Sequence, residues 1–219
     1  MTACEPHVVH QPRTSVIVPV YNKAPHLKAC FDCLECQTIS KSDLEVLLID
    51  DGSTDDSLAL CEAFAAERPW VRVIAQPNAG VSEARNAGIR AANGRYLFFL
   101  DPDDSLSPET LENVSMFFES CPDEIDLVTY PIVSIRDGKR QRLHHRYDVL
   151  RETGVYDLTL PENATVAQAT MNVAVRNCFD GNVLFDFAPA NGVIVHEDEK
   201  YCTDVLQGSM QLGFCAEAE

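Results

Sequence analysis

Basic residues are scarce in this sequence. Lys and Arg number 17 against 34 Asp and Glu, which leaves a net charge of −17. Nucleic-acid binding needs clustered cations to neutralise phosphates, and the tightest basic cluster, Arg136 to Arg146, is broken by polar and His residues. The same shortage disfavours a polybasic membrane anchor. Long apolar runs are missing as well: no stretch reaches the about 18 residues that span a bilayer. The first fifteen residues include Glu5, His7, His10, Gln11 and Arg13, so they hold no apolar leader core. Internal repeats and low-complexity segments are absent too. Nine cysteines, an odd number in 219 residues, do not make the dense framework of a small secreted domain. Reduced thiols in a cytoplasmic setting are the expectation.

What is present is an ordinary globular composition, 46% hydrophobic and 23% charged, at a length that suits one large domain. Residues 1–13 read as a flexible tail. After them, strands alternate with helices: SVIVPV (15–20), a helix over 25–37, LEVLLID (44–50), a helix from a Thr54 or Asp55 cap to about Glu67, VRVIA (71–75), a helix over about 81–92, RYLFFL (95–100), and a helix opened by Ser107 as N-cap and Pro108. Continuous β-branched and Leu-rich runs are what strands buried on both faces require. The fold class is therefore α/β, a mostly parallel sheet flanked by helices. Beyond residue 125 the pattern loosens. DLVTYPIVSI (126–135), Asp137-Gly138 and the polar run to Tyr147 read as a hairpin, 148–165 as loop, 168–176 as a strand or helix, and Glu197 to Leu212 as a helix.

Cys30, Cys33 and Cys36 have a CxxCxxC spacing, but they lack a fourth ligand at a defined offset, since the next cysteine is Cys61. Leu27, Cys30, Phe31 and Leu34 recur at i, i+3, i+4, i+7, so Cys30 and Cys33 read as small buried hydrophobes on a helix. His26, His144 and His145 show no ligand spacing and read as surface residues.

In open α/β sheets ligands bind beyond the carboxyl ends of the strands. Three such ends here carry Pro19-Val20-Tyr21, Asp50-Asp51 and Asp101-Pro102-Asp103-Asp104. A strand-end carboxylate can accept hydrogen bonds from a ribose hydroxyl or a base N–H. Two carboxylates spaced D-x-D can hold a hard cation such as Mg²⁺ or Mn²⁺, and that cation can carry a diphosphate that the acidic protein would otherwise repel. Asp-rich turns are also common simple caps; two of them, each after a buried apolar run, make the functional reading the stronger.

The ordered set SVIVPVYN (15–22), QT (37–38), LLIDDGSTDDS (48–57), NAGVSEARNAG (78–88), GRYLFFLDPDD (94–104) and HEDE (196–199) resembles the family 2 glycosyltransferases, inverting enzymes of the GT-A fold. The likeness spans roughly residues 14–215 and is densest before 105. It implies a single GT-A domain over 14–219. Residues 14–120 would form its nucleotide-sugar-binding half and 121–219 a less regular acceptor-binding half. It also implies transfer of a sugar from a nucleotide-diphosphate donor, UDP-sugar first among them, to an acceptor hydroxyl in bacterial-type polysaccharide or glycolipid synthesis. Pro19 and Tyr21 would line the base pocket, Asp51 would bond base or ribose, and Arg85 would reach the nucleotide from the third helix. The plainer reading of Arg85 is a solvent-facing partner of Glu83 or Glu112. Asp103 would be the direct ligand of Mn²⁺ or Mg²⁺, with Asp101 on the donor. Asp198 would be the general base, which accepts the acceptor's proton, and Glu197 its neighbour; the alternative is that HEDE only favours a helix N-terminus.

Pro102 departs from the family's usual small residue and stiffens that loop without removing a ligand. Relatives continue past the last matched helix whereas this sequence stops at GFCAEAE (213–219), and a C-terminal truncation is one reading of that stop. The expected location is cytoplasmic, with peripheral attachment at the inner membrane face. Donor sugar, acceptor, linkage and oligomeric state stay open. Two rival readings compete with this one. A phosphoacceptor receiver fails because its acidic pair would sit on the first strand and a Lys would follow at a later strand end. A non-catalytic nucleotide-sugar-binding protein would keep the pocket and lose turnover.

Overall fold

The computed structural model describes residues 11–121 continuously and, beyond them, 125, 127–131, 135–136, 139–140, 153–157, 173–177 and 211–214. The first part alternates as its apolar runs dictate: β1 (Thr14–Val20), α1 (Ala24–Glu35), β2 (Leu44–Asp50), α2 (Ser57–Ala65), β3 (Val71–Ala75), α3 (Val81–Ala91), β4 (Tyr96–Phe99) and α4 (Thr110–Ser120). Short strands follow: β5 (Leu127–Thr129), β6 (Ile135–Arg136), β7 (Lys139–Arg140), β8 (Gly154–Asp157), β9 (Val173–Arg176) and β10 (Gln211–Phe214). The main sheet runs β3-β2-β1-β4-β9-β5-β10-β8, and β6 and β7 form a separate antiparallel pair. β1 to β4 are mutually parallel, β9 enters antiparallel between β4 and β5, β10 is parallel to β5, and β8 pairs antiparallel with β10.

Every residue of β1 and β2 is buried, as a strand covered on both faces must be. The two faces sort by alternation. Val16, Val18, Val20, Val46, Leu48 and Phe98 join one core cluster with Leu27, Cys30 and Leu34 of α1, Cys61 and Phe64 of α2, and Leu111, Val114 and Phe118 of α4. Ile17, on the opposite face, meets α3. A Cβ added to Gly88 would lie 2.4 Å from Ile17 Cγ2, so glycine sets how closely α3 approaches the sheet.

Helix starts differ from the sequence expectation in instructive ways. α2 begins at Ser57, yet the Asp55 carboxylate still accepts from Ser57 N and also from Ala24 N, the first residue of α1. One side chain thus satisfies two helix N-termini. α4 begins at Thr110, after a turn over 107–109, instead of at Ser107-Pro108. The carbonyls of that turn are taken from outside: Gln37 Nε2 donates to Ser107 O and Thr38 N to Pro108 O. The buried Gln37 also accepts from Leu111 N, so the QT pair ties the end of α1 to the start of α4.

The second part departs more. The expected long strand over 126–135 is two pieces, β5 in the main sheet and β6 in the small pair, and β6–β7 flank Asp137-Gly138 as the hairpin reading has it. The expected loop over 148–165 contains β8, and the expected helix to Leu212 gives way to β10 from Gln211. Pairing between β8 and β10 decides both, a contact some 55 residues apart in sequence that no local pattern encodes. The remainder of the helix expected over 197–212 lies outside the described residues.

Candidate functional site

β2 lies on one side of β1 and β4 on the other, so strand order reverses between β1 and β4, and a crevice opens beyond their carboxyl ends. A cavity of about 470 Å³ sits there. Pro19, Tyr21, Asp51, Asp101 and Asp103, five of the residues singled out from the sequence, line it together. Tyr21 is 46% exposed, a large aromatic left open in a cleft wall.

Asp51 is buried and already occupied. Its Oδ1 accepts from Gln76 Nε2 (2.8 Å) and Ala79 N (2.9 Å), and its Oδ2 from Gly80 N (2.8 Å). It therefore builds the 76–80 turn that leads into α3. A carboxylate has about four acceptor sites, so Oδ2 keeps capacity for a ligand N–H or O–H. Two glycines fit this turn by backbone need: Gly80 has φ 93° and Gly52 φ 73°, and a Cβ on Gly52 would lie 2.8 Å from Asn78 N.

Arg85 is not solvent-facing. It is 4% exposed, and its guanidinium donates to Asp101 Oδ1 at 3.1 Å, while Glu83 pairs with Arg90 and Glu112 accepts from Thr38. Nor does it line the cavity; it stands behind Asp101. Its guanidinium grips the first carboxylate of the D-x-D pair. Asp103 is 45% exposed and binds Lys23 Nζ through Oδ2 at 2.6 Å. That bond holds the Asp103 carboxyl below its ordinary pKa, against the opposing effect of burial. Asp104 moves the other way, pushed up by burial and by the neighbouring Asp101 and Asp103 charges.

Sequence reasoning missed two residues. Lys23 lines the cavity and holds Asp103. Asn22 has φ 52°, and its Oδ1 accepts from Thr54 N at 2.8 Å and Asp55 N at 3.3 Å, while its own N donates to Ser53 Oγ. The loop after β1 is thereby locked to the loop after β2. For Asn22 the signal was available, since Asn tolerates the left-handed region better than most residues; for Lys23 no local signal exists, because its partner Asp103 lies 80 residues away. Asp198 and Glu197 lie outside the described residues.

Of the described cysteines, Cys30 and Cys61 are buried. Burial pushes the Cys61 thiol up to about 12 and raises Cys30 further, which makes both poor thiolates. Among the described residues no group of three or more His, Cys, Asp or Glu is arranged to hold a metal ion. Asp101 and Asp103 offer two hard oxygen donors on one loop. That set fits Mg²⁺ or Mn²⁺, cations commonly held by one or two carboxylates and completed by substrate phosphates. No helix among the described residues is long and apolar enough to cross a membrane.

The model of glycosyl transferase family 2 matches residues 15–185. The minor teichoic acid biosynthesis protein GgaB of Bacillus subtilis is 43% identical over 94% of this chain, which spans 22% of GgaB. The uncharacterised glycosyltransferase EpsJ of the same organism is 40% identical over 53% of the chain, which spans 33% of EpsJ. Among solved structures, S. aureus TarS (residues 1–349) in complex with UDP superposes with a TM-score of 0.78 at 21% identity, over 94% of this chain and 58% of TarS. The mannosyltransferase PcManGT from Pyrobaculum calidifontis, in complex with GDP-Man and Mn²⁺, superposes with a TM-score of 0.67 at 21% identity, over 96% of this chain and 58% of PcManGT. These likenesses carry the GT-A fold.

Proposed function

The chain belongs to glycosyl transferase family 2, and on that premise we propose that it moves a sugar, with inversion, from a UDP-sugar to an acceptor hydroxyl in the building of a bacterial surface polysaccharide, teichoic acid or glycolipid. The observation that carries this reading is the gathering of Tyr21, Asp51, Asp101 and Asp103 around one cavity at the switch point between β1 and β4. Tyr21 offers its ring to the base, with Pro19 beside it, and Asp51 offers its remaining acceptor capacity to base or ribose. Asp101 and Asp103 would hold Mn²⁺ or Mg²⁺ together with the donor's phosphates; when bound, the cation supplies charge stabilisation for the departing diphosphate. Arg85 fixes the orientation of Asp101 and contributes to donor binding through it. The names of GgaB and TarS's UDP complex support a UDP-linked donor and a surface-polymer acceptor. The place we propose is cytoplasmic, peripheral at the inner face of the membrane.

An acceptor hydroxyl is a poor nucleophile until a positioned base takes its proton. We assign that base to Asp198, with Glu197 as its neighbour, from the match of HEDE (196–199) to the family pattern. Asp198→Asn keeps side-chain shape, so UDP affinity should stay near wild type while sugar transfer falls by ~10²-fold or more. Collapse in Glu197→Gln with activity kept in Asp198→Asn would move the base to Glu197. Full activity in both would leave HEDE a helix cap. A wild type that binds UDP yet turns over no donor would favour the second reading, a non-catalytic nucleotide-sugar-binding protein.

A further inference from the structure

Each carboxylate of the D-x-D pair has its own cation, and the two pairs differ in kind. Arg85, 4% exposed, is packed behind Asp101, which is 24% exposed. Lys23 and Asp103 are 34% and 45% exposed, and both line the cavity. A planar guanidinium locked in the core does not move easily. An ammonium on a flexible stem does, and an exposed ion pair holds it by a factor of about five at most. The backbone beneath it is fixed: Lys23 N donates to Ser57 Oγ at 2.9 Å, and Asn22 and Ala24 on either side bond the 53–55 loop. The ammonium therefore swings about an anchored Cα and stays at the cavity.

Lys23 Nζ lies 2.6 Å from Asp103 Oδ2, so a divalent cation arriving at this carboxylate competes with the ammonium for the same negative charge and is repelled by it. Among the described residues that line the cavity, Lys23 is the one cation against Asp51, Asp101 and Asp103. A displaced ammonium would find its natural partner in an arriving diphosphate. We propose that Lys23 is an exchangeable cation of the donor site: it neutralises Asp103 while no divalent metal is bound, and it passes to the donor's diphosphate when a metal takes that carboxylate. The proposal rests on the donor-site reading above and adds to it a residue that acts with opposite sign on metal and on nucleotide.

That opposition is the test. Mn²⁺ affinity of the full chain is measured without nucleotide from the free-ion electron paramagnetic resonance signal. UDP affinity is measured by calorimetry at saturating Mn²⁺. In Lys23→Met, Mn²⁺ should bind about two- to fivefold tighter, since the competing ion pair is gone. UDP should bind about tenfold weaker, since a charged contact is lost. Lys23→Arg should restore UDP affinity, and Lys28→Met, which removes an exposed lysine of α1 paired with Asp32, should move neither value. UDP affinity unchanged in Lys23→Met, or Mn²⁺ affinity falling along with it, overturns the exchange. A wild type that binds neither Mn²⁺ nor UDP overturns the donor-site reading itself, a different result from a wild type that binds both and a variant that matches it.

Discussion

Asp51 shows how one carboxylate can serve structure and ligand together. The sequence places it just past the apolar run of β2, where a base or ribose would lie. The structure finds its oxygens bonded to Gln76, Ala79 and Gly80. Asp51→Ala would leave the buried N–H groups of that turn without an acceptor, at about 1–3 kcal/mol. We therefore expect Asp51→Ala to lower the denaturant midpoint and to weaken UDP binding together. Weaker UDP binding at wild-type stability would mean the turn does not depend on Asp51; lower stability with unchanged UDP affinity would confine it to structure. Arg85 carries the companion lesson. Its position on the third helix was legible, but whether an Arg faces water or a carboxylate depends on how closely α3 meets the sheet, which Gly88 sets through its contact with Ile17.

Between elements, the foot of the sheet is held by Glu45 of β2, which is 6% exposed. It accepts from Ser15 of β1, Arg72 of β3, and both the backbone and side chain of Asn93 before β4. Burial works to raise its pKa, and these bonds outweigh it, so the carboxyl sits below its ordinary value. A depressed folded-state pKa contributes stability that is present above the ordinary carboxylate range and lost as pH falls through the folded value. The free-energy gap between wild type and Glu45→Gln should thus be about 1–3 kcal/mol at neutral pH and should shrink below about pH 4, as read by urea unfolding across pH. A gap independent of pH would show that charge at Glu45 contributes nothing. The same scale explains what the sequence made legible. β1 to β4 are continuous apolar runs with helices between them, and burial on both faces writes itself locally. β5, β8, β9 and β10 are three or four residues long. They exist because distant partners pair with them, so Gly154–Asp157 read as loop and Gln211–Leu212 as helix. Of the site, the strand-end carboxylates and Tyr21 were legible because type and position coincide there. Lys23 was not, since it follows the non-acidic end of β1 and its part depends on a neighbour 80 residues away.

Across the whole molecule, the proposed function asks a chain of net charge −17 to attract a nucleotide diphosphate. Among the described residues that line it, the cavity it offers carries three carboxylates and one lysine. Uniform basic attraction is not available, so a divalent cation at Asp101 and Asp103 is the account's central requirement. Asp103 is 45% exposed at a loop, which means that removing it should spare the core. The direct test is a calorimetric titration of UDP into wild type and Asp103→Ala, each with and without Mn²⁺. Wild type should bind UDP with Mn²⁺ and much more weakly without it, and UDP at about 100 times its dissociation constant should add ~2.7 kcal/mol of stability. Asp103→Ala should remain folded and lose the metal dependence. No binding of UDP or any other nucleoside diphosphate with Mn²⁺ present, or equal UDP affinity with and without it in the wild type, would contradict the account.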